Sequence, residues 1–262
     1  DNTILKANGE AQEVKNVICL HEEDYGVLWK HTNMMHESPT PEVRRSRRLV
    51  VSCFHTVGNY EYGFYWYFYQ DGTIQMEVKL TGHIGASVVP DGKGTDTSPM
   101  VAPMVSSPIH QHLFCFRLDF NIDGQKNSVC ETEVEALQPG PDNPLDSGFR
   151  AVTRTLKSEQ EAKREIDPAR SRSWRVINSD VPNRVGQPVG YKLLAQASPV
   201  MLSGDNSLPA KRGAFAKHNL WVTPYNNDEL YADAGPFSNL HSGGAGLPAY
   251  TSADRSIEDT DL

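Results

Sequence analysis

The chain has 262 residues, 38% of them hydrophobic and 22% charged, with 33 acidic against 25 basic side chains and a formal net charge of −8. That length suffices to bury the core of one large all-β domain or two small ones, and the composition is that of a globular protein. The acidic balance argues against general nucleic-acid binding, which needs a basic face to displace counterions, and no stretch approaches the run of about eighteen apolar residues that spans a membrane.

Cys19, Cys53, Cys115 and Cys130 show no Cys-x-x-Cys spacing. Neither a zinc knuckle nor a thioredoxin-like pair is indicated, and all four read as unpaired within the chain. There is no initiating methionine and no leader pattern of basic, apolar and small-residue regions, so the chain is expected to begin mid-sequence.

Residues 1–16 have no clear period, and Val17-Ile18-Cys19-Leu20 then opens a strand. Val27-Leu28-Trp29-Lys30 reads as its antiparallel return, with Asp24-Tyr25-Gly26 in the turn and a surface loop from Met34 to Pro41. The basic cluster Arg44-Arg45-Ser46-Arg47-Arg48 abuts the strand Leu49–Phe54. It reads as a solvated start to that strand in preference to a phosphate or partner site.

Gly58 and Asn59 tolerate positive φ and make a tight connection before Tyr60. From there Tyr60, Tyr62, Phe64, Trp66 and Phe68 share one strand face, while Glu61, Tyr65, Tyr67 and Tyr69 share the other. A strand apolar on both faces belongs inside a sandwich. Gln70-Asp71-Gly72-Thr73 turns the chain into Ile74–Leu80, which alternates cleanly.

A long Gly, Ser, Thr and Pro loop, residues 90–108, precedes His110-Gln111-His112, which opens an aromatic and apolar run to Leu118. That run is expected to be a strand, placing His110 and His112 on one face about 6–7 Å apart and Cys115 on the other. Two imidazoles on one face suit copper or zinc, and a tetragonal nitrogen and oxygen set favours copper(II). By itself His-x-His reads more readily as two partly exposed histidines on a sheet face. Further strands are expected at Ser128–Val134, Phe149–Leu156, Trp174–Ile177, Val189–Ala195 and Leu220–Thr223, and the charged stretch Lys157–Arg172 as a solvated turn or short polar helix. Short strands separated by Gly and Pro turns, with no internal repeat, indicate an all-β fold, a large β-sandwich with long loops.

Asn59-Tyr60-Glu61-Tyr62, followed by the aromatic strand and then by His110-Gln111-His112, resembles the copper amine oxidases in order and spacing. Cys19–His31, Pro188–Leu193, Asn219–Thr223 and His241–Pro248 also read like stretches of that family's catalytic domain, so the resemblance covers essentially the whole chain. It implies a portion, residues 1–262, of the catalytic β-sandwich, lacking its upstream segment and its C-terminal end.

The resemblance further implies oxidation of primary amines by dioxygen to aldehydes, with ammonia and hydrogen peroxide released. Tyr60 would be the precursor of the topaquinone cofactor that forms a Schiff base with substrate, Asn59 would orient the quinone, and His110 and His112 would ligate copper(II). A calcium site would use Asp119, the Phe120 carbonyl, Asp261 and the Leu262 carbonyl, weakened because Asn121 stands where many members have an aspartate. Cys19 would pair with a cysteine upstream of the chain, and hairpin arms around Arg154–Arg172 would embrace a second subunit in a homodimer. The family's catalytic aspartate falls upstream of the Cys19 region and its third copper histidine just past Leu262; His218 and His241 do not match that motif. The alternative is a non-catalytic β-sandwich fragment that binds copper weakly or acts as an interaction module.

Overall fold

The computed structural model describes residues 1–6, 8–35, 37–196, 198–233, 242–243 and 245–262. The fold is all-β: among the described residues the sheets are antiparallel and the helices are confined to short turns such as Pro168–Arg170, Leu208–Arg212 and Leu247–Tyr250. The chain divides into two units, Asp1–His110 and Gln111–Leu262.

In the first unit a hairpin of β1 (Asn2–Leu5) and β2 (Ala11–Val14) precedes a four-stranded meander. The meander comprises β3 (Ile18–Asn33), β4 (Thr40–Val57), β5 (Tyr60–Tyr69) and β6 (Ile74–Gly82), in that spatial order. Asp24-Tyr25-Gly26 is a bulge inside β3 and not the expected turn: the register with β4 shifts between Asp24 and Val27. The Asp24 side chain accepts the Gly26 N–H at 2.9 Å, and Gly26 sits at φ +85°. A left-handed glycine absorbs one extra residue without ending the ladder, which a sequence pattern cannot distinguish from a reversal. The pairing of β3 with β4 continues past the last β4–β5 pair, Arg48 with Tyr69, as far as Asn33 with Thr40. The outer parts of β3 and β4 therefore form a two-stranded ribbon. Within it the basic cluster is neutralised, Arg44 pairing with Glu42, Arg45 with Asp24 and Arg47 with Glu22.

Register gives the meander two chemically distinct faces. Tyr60, Tyr62, Phe64, Trp66 and Phe68 lie with Val57, Cys53, Val51, Leu80, Val78 and Met76 on a largely apolar face that also carries His55, opposite Tyr62. The opposite face is apolar only in part, because its tyrosines are engaged through both rings and hydroxyls. The Arg48 guanidinium lies 3.9 Å from the Tyr25 ring centroid and 3.8 Å from that of Tyr67, and it donates to Glu23 and to the Tyr69 hydroxyl. Tyr67, 1% exposed, donates to Glu77 at 2.6 Å; burial first, then that carboxylate, pushes its phenol pKa up. A three-stranded sheet closes the unit, with β9 (Val105–Ser106) between β7 (Ser87–Val88) and β8 (Met100–Ala102).

In the second unit β10 (Ser128–Ala136), β11 (Phe149–Leu156), β12 (Ser173–Pro182) and β13 (Pro188–Leu193) form an antiparallel sheet ordered β11-β10-β12-β13. Val129, Leu156, Trp174, Val176, Val222 and Ile257 make its core, and full burial of side chains of this size contributes about 1.5–3 kcal/mol each. The stretch Lys157–Arg172, expected as a solvated turn or short polar helix, holds a short helical turn at Pro168–Arg170 but is not solvated throughout. Its Glu159 and Ala162 are fully buried, Glu159 accepts from Arg255 at 2.7 Å, and Arg164 bridges to Leu220.

Two expected strands do not form. Leu220–Thr223 contributes only that isolated bridge, and residues 107–121 carry no ladder. Apolar and aromatic composition favours a strand only where a neighbouring strand supplies backbone partners. In residues 111–121 the anchors are the Gln111 side chain, bonded to Val200 and Leu202, and the Phe120 amide, bonded to the Leu262 carbonyl. The four cysteines are free, and among the described residues no helix is long and apolar enough to cross a membrane.

Candidate active site

The site is built on the turn joining β4 to β5. Val57 pairs with Tyr60, leaving Gly58-Asn59 as a two-residue loop. Gly58 takes φ +62°, whereas Asn59 is not among the residues with positive φ, the pattern of a type II′ hairpin. The Asn59 carbonyl accepts the His83 N–H at 2.7 Å, which ties the turn to the end of β6. Gly82, opposite Tyr60, permits this approach. A Cβ on it would lie 2.6 Å from the Asn59 oxygen and 2.8 Å from the Glu61 nitrogen, at φ +94°. Gly82→Ala is therefore expected to lower stability by about 1–3 kcal/mol, measured by chemical denaturation.

Tyr60 thus starts β5 with its hydroxyl directed at the end of the unit. Its oxygen lies 3.1 Å from His110 Nε2 and accepts the Gly85 N–H at 3.2 Å; the Tyr60 and His110 rings are 5.9 Å apart between centroids. His110 Nδ1 is 2.9 Å from the Pro108 carbonyl. A carbonyl can only accept, so Nδ1 carries the proton, Nε2 presents its lone pair, and the Tyr60 hydroxyl donates to it. This is the tautomer in which histidine ligates a metal, with its remote N–H held by a carbonyl. His110 in this arrangement fits a copper ligand placed beside the phenol. Tyr62 adjoins Tyr60 at 6.3 Å between ring centroids on the same face.

Among the expected site residues, Asn59, Tyr60 and His110 come together in the first unit. His112 lies in the second unit, two residues along the chain from His110. Also in the second unit, the Phe120 amide donates to the Leu262 carbonyl at 3.0 Å, which brings residues 119–120 to residues 261–262; the Asp261 carbonyl accepts the Tyr225 N–H at 2.8 Å. Among the described residues no three His, Cys, Asp or Glu side chains converge as a metal cluster. His218 is engaged elsewhere, 2.5 Å from Glu165 and against the Trp221 ring, and His241 lies outside the described residues. The sequence reading missed Gly85 and the Pro108 carbonyl, which act through backbone atoms that composition does not reveal.

A tyrosine at a glycine turn, hydrogen-bonded to a histidine whose Nδ1 proton is held by a carbonyl, on an all-β scaffold, defines a class of site in which a phenol sits beside an imidazole in the tautomer suited to metal ligation. The copper amine oxidase enzyme-domain family model matches residues 1–262, and the chain belongs to that family. It is 49% identical over 254 residues to histamine oxidase of Arthrobacter globiformis, covering 97% of this chain and 36% of that protein. It is 40% identical over 259 residues to a copper-containing diamine oxidase of Nicotiana tabacum, covering 97% of this chain and 33% of that protein. The crystal structure of a copper-containing benzylamine oxidase from Hansenula polymorpha superposes with a TM-score of 0.92 at 32% identity, over 99% of this chain and 40% of that one. The chain thus spans no more than about two fifths of the length of these relatives.

Proposed function

We propose that the protein containing these residues oxidises primary amines to aldehydes, with dioxygen as oxidant and ammonia and hydrogen peroxide as co-products. In this reading Tyr60 is the precursor of topaquinone and copper(II) is held by His110 and His112. The observation that carries the reading is the Tyr60 hydroxyl 3.1 Å from His110 Nε2 with Nδ1 committed to Pro108. The relatives' names span histamine, diamines and benzylamine, so primary amine is the level of substrate they support.

When present, the quinone supplies the electrophilic carbonyl and electron sink for the amine carbon, and copper the Lewis acidity for making the quinone from tyrosine and dioxygen. The residues of this chain orient and hold. The Gly58-Asn59 turn, with the Asn59 carbonyl fixed by His83, sets where the Tyr60 ring leaves the sheet. Pro108 fixes the His110 tautomer, so that the single Nε2 lone pair accepts the Tyr60 hydroxyl proton while the metal is absent and is the atom that would be given to copper in its place. The face carrying Tyr62, Phe64 and Trp66 flanks the ring, with the Tyr62 hydroxyl and the His55 imidazole as polar groups on an otherwise apolar surface.

His110→Ala removes one of the two proposed ligands and, in the metal-free protein, the acceptor of the Tyr60 proton. In the full-length protein it is expected to weaken copper retention by 10-fold or more and to suppress the visible quinone band, measured by metal analysis after dialysis and by absorbance under air. Retention and colour equal to wild type would exclude His110 as a ligand. Calcium bound by Asp119, Asp261 and the carbonyls of Phe120 and Leu262 belongs to the same reading, supported by the contact between those two segments. So does a two-fold homodimer, checked by light scattering of the full-length protein.

A further inference from the structure

Tyr60 is held by more than its histidine. Residues 83–86 link β6 to β7, and within them Gly85 approaches the phenol so closely that a Cβ on it would lie 3.0 Å from the Tyr60 oxygen. Its N–H donates to that oxygen at 3.2 Å. On its other side the Gly85 carbonyl accepts the Ser107 hydroxyl at 2.7 Å. Ser107 follows β9, which pairs with β7 through Ser87–Ser106 and Val88–Val105, so the strap is anchored in a sheet. The bonds run in one direction: Ser107 O–H to Gly85 carbonyl, Gly85 N–H to Tyr60 oxygen, Tyr60 O–H to His110 Nε2, and His110 Nδ1–H to the Pro108 carbonyl. Each group is used in the sense its chemistry allows. Ser107 and Pro108 are neighbours in sequence, so the strap that holds the phenol from one side and the carbonyl that orients its histidine belong to one short stretch of chain.

We propose that Gly85 seats the Tyr60 phenol against His110 and that Ser107 is the positioning residue that holds Gly85 in place, so that this strap sets how fast Tyr60 is converted to its quinone. The inference rests on the reading of Tyr60 as the quinone precursor. A Cβ at position 85 would displace the phenol oxygen by a few tenths of an ångström. Displacement of that order at a reacting group slows chemistry by roughly tenfold, given that about 1 Å costs about a hundredfold.

The test uses the full-length protein purified free of copper. In that form, hydrogen exchange at the Gly85 amide is expected to be protected in wild type and about tenfold faster in Tyr60→Phe, which removes its acceptor. On adding copper under air, Gly85→Ala is expected to bind copper normally but develop the visible quinone band about tenfold more slowly. Ser107→Ala is expected to be slowed by about three- to tenfold, and Ser107→Thr, which keeps the hydroxyl, to restore the rate. Wild-type rates of colour formation in Gly85→Ala, or a Gly85 amide indifferent to Tyr60→Phe, would overturn the proposal. If wild type forms no quinone while the Gly85 amide still responds to Tyr60→Phe, the seat stands, and its claimed effect on quinone formation falls with the reading of Tyr60.

Discussion

Tyr60→Phe in the full-length protein is expected to abolish both the visible quinone band and amine-dependent peroxide release while leaving the fold and copper uptake in place. The substitution keeps the ring at the start of β5 and deletes one oxygen, the atom that donates to His110 and accepts from Gly85. The structural cost is an unsatisfied Gly85 N–H, about 1–3 kcal/mol, which a hairpin bonded along β4 and β6 tolerates. On the proposed role of Tyr60 the functional cost is total, because without the phenol oxygen there is nothing to oxidise to a quinone and no electron sink for the amine carbon. Circular dichroism and metal analysis unchanged from wild type, with peroxide at the level of buffer, is the expected result. Amine-dependent peroxide from the variant would refute the role assigned to Tyr60.

The second large effect concerns stability and lies in the other unit. Glu131, 1% exposed, takes four donors into one carboxylate: Arg164 Nε at 2.7 Å, Arg164 Nη2 and Arg154 Nη2 at 2.8 Å each, and Trp174 Nε1 at 3.0 Å. Arg154 and Trp174 are its cross-strand partners on β11 and β12, so this carboxylate joins three strands and the stretch bearing Arg164. Glu131→Ala leaves the half-buried Arg164 guanidinium and the buried Trp174 N–H without their acceptor, and is expected to cost about 3–5 kcal/mol, read by denaturant unfolding. A loss below about 1 kcal/mol would show that the cluster relaxes to solvent.

The same group gives a pH dependence. Burial pushes the Glu131 carboxyl up, but hydrogen bonds from Arg164, Arg154 and Trp174 outweigh it and hold the pKa at about 2, against 4.5 for an ordinary glutamate. A depressed folded-state pKa contributes stability that is complete above the unfolded value and disappears as pH falls through the folded one. Wild type is therefore expected to lose stability between about pH 4.5 and 2, and Glu131→Ala to lose less over that interval.

Sequence by itself determined the strands whose alternation is set by residues they carry, β5 and β6 above all. It also determined the tight turn at Gly58-Asn59, because two-residue hairpins need a residue that accepts positive φ. The family was legible too, since Asn59-Tyr60-Glu61-Tyr62 and His110-Gln111-His112 lie on local stretches of chain whose spacing survives without coordinates. Tertiary structure decided what depends on partners distant in sequence. It made Asp24–Gly26 a bulge because β4 continues beside it, and gave residues 107–121 no ladder with any of the described strands. It turned Arg48 from one more charge in a basic run into the centre of an aromatic stack, and drew Glu159 out of a polar stretch to meet Arg255. At the site it recruited Gly85, Ser107 and the Pro108 carbonyl, whose contributions are three backbone groups and one hydroxyl. Side-chain identity predicts periodicity and turns because those are local steric preferences. Which backbone amide meets a phenol twenty-five residues away is fixed only when the sheets between them have formed.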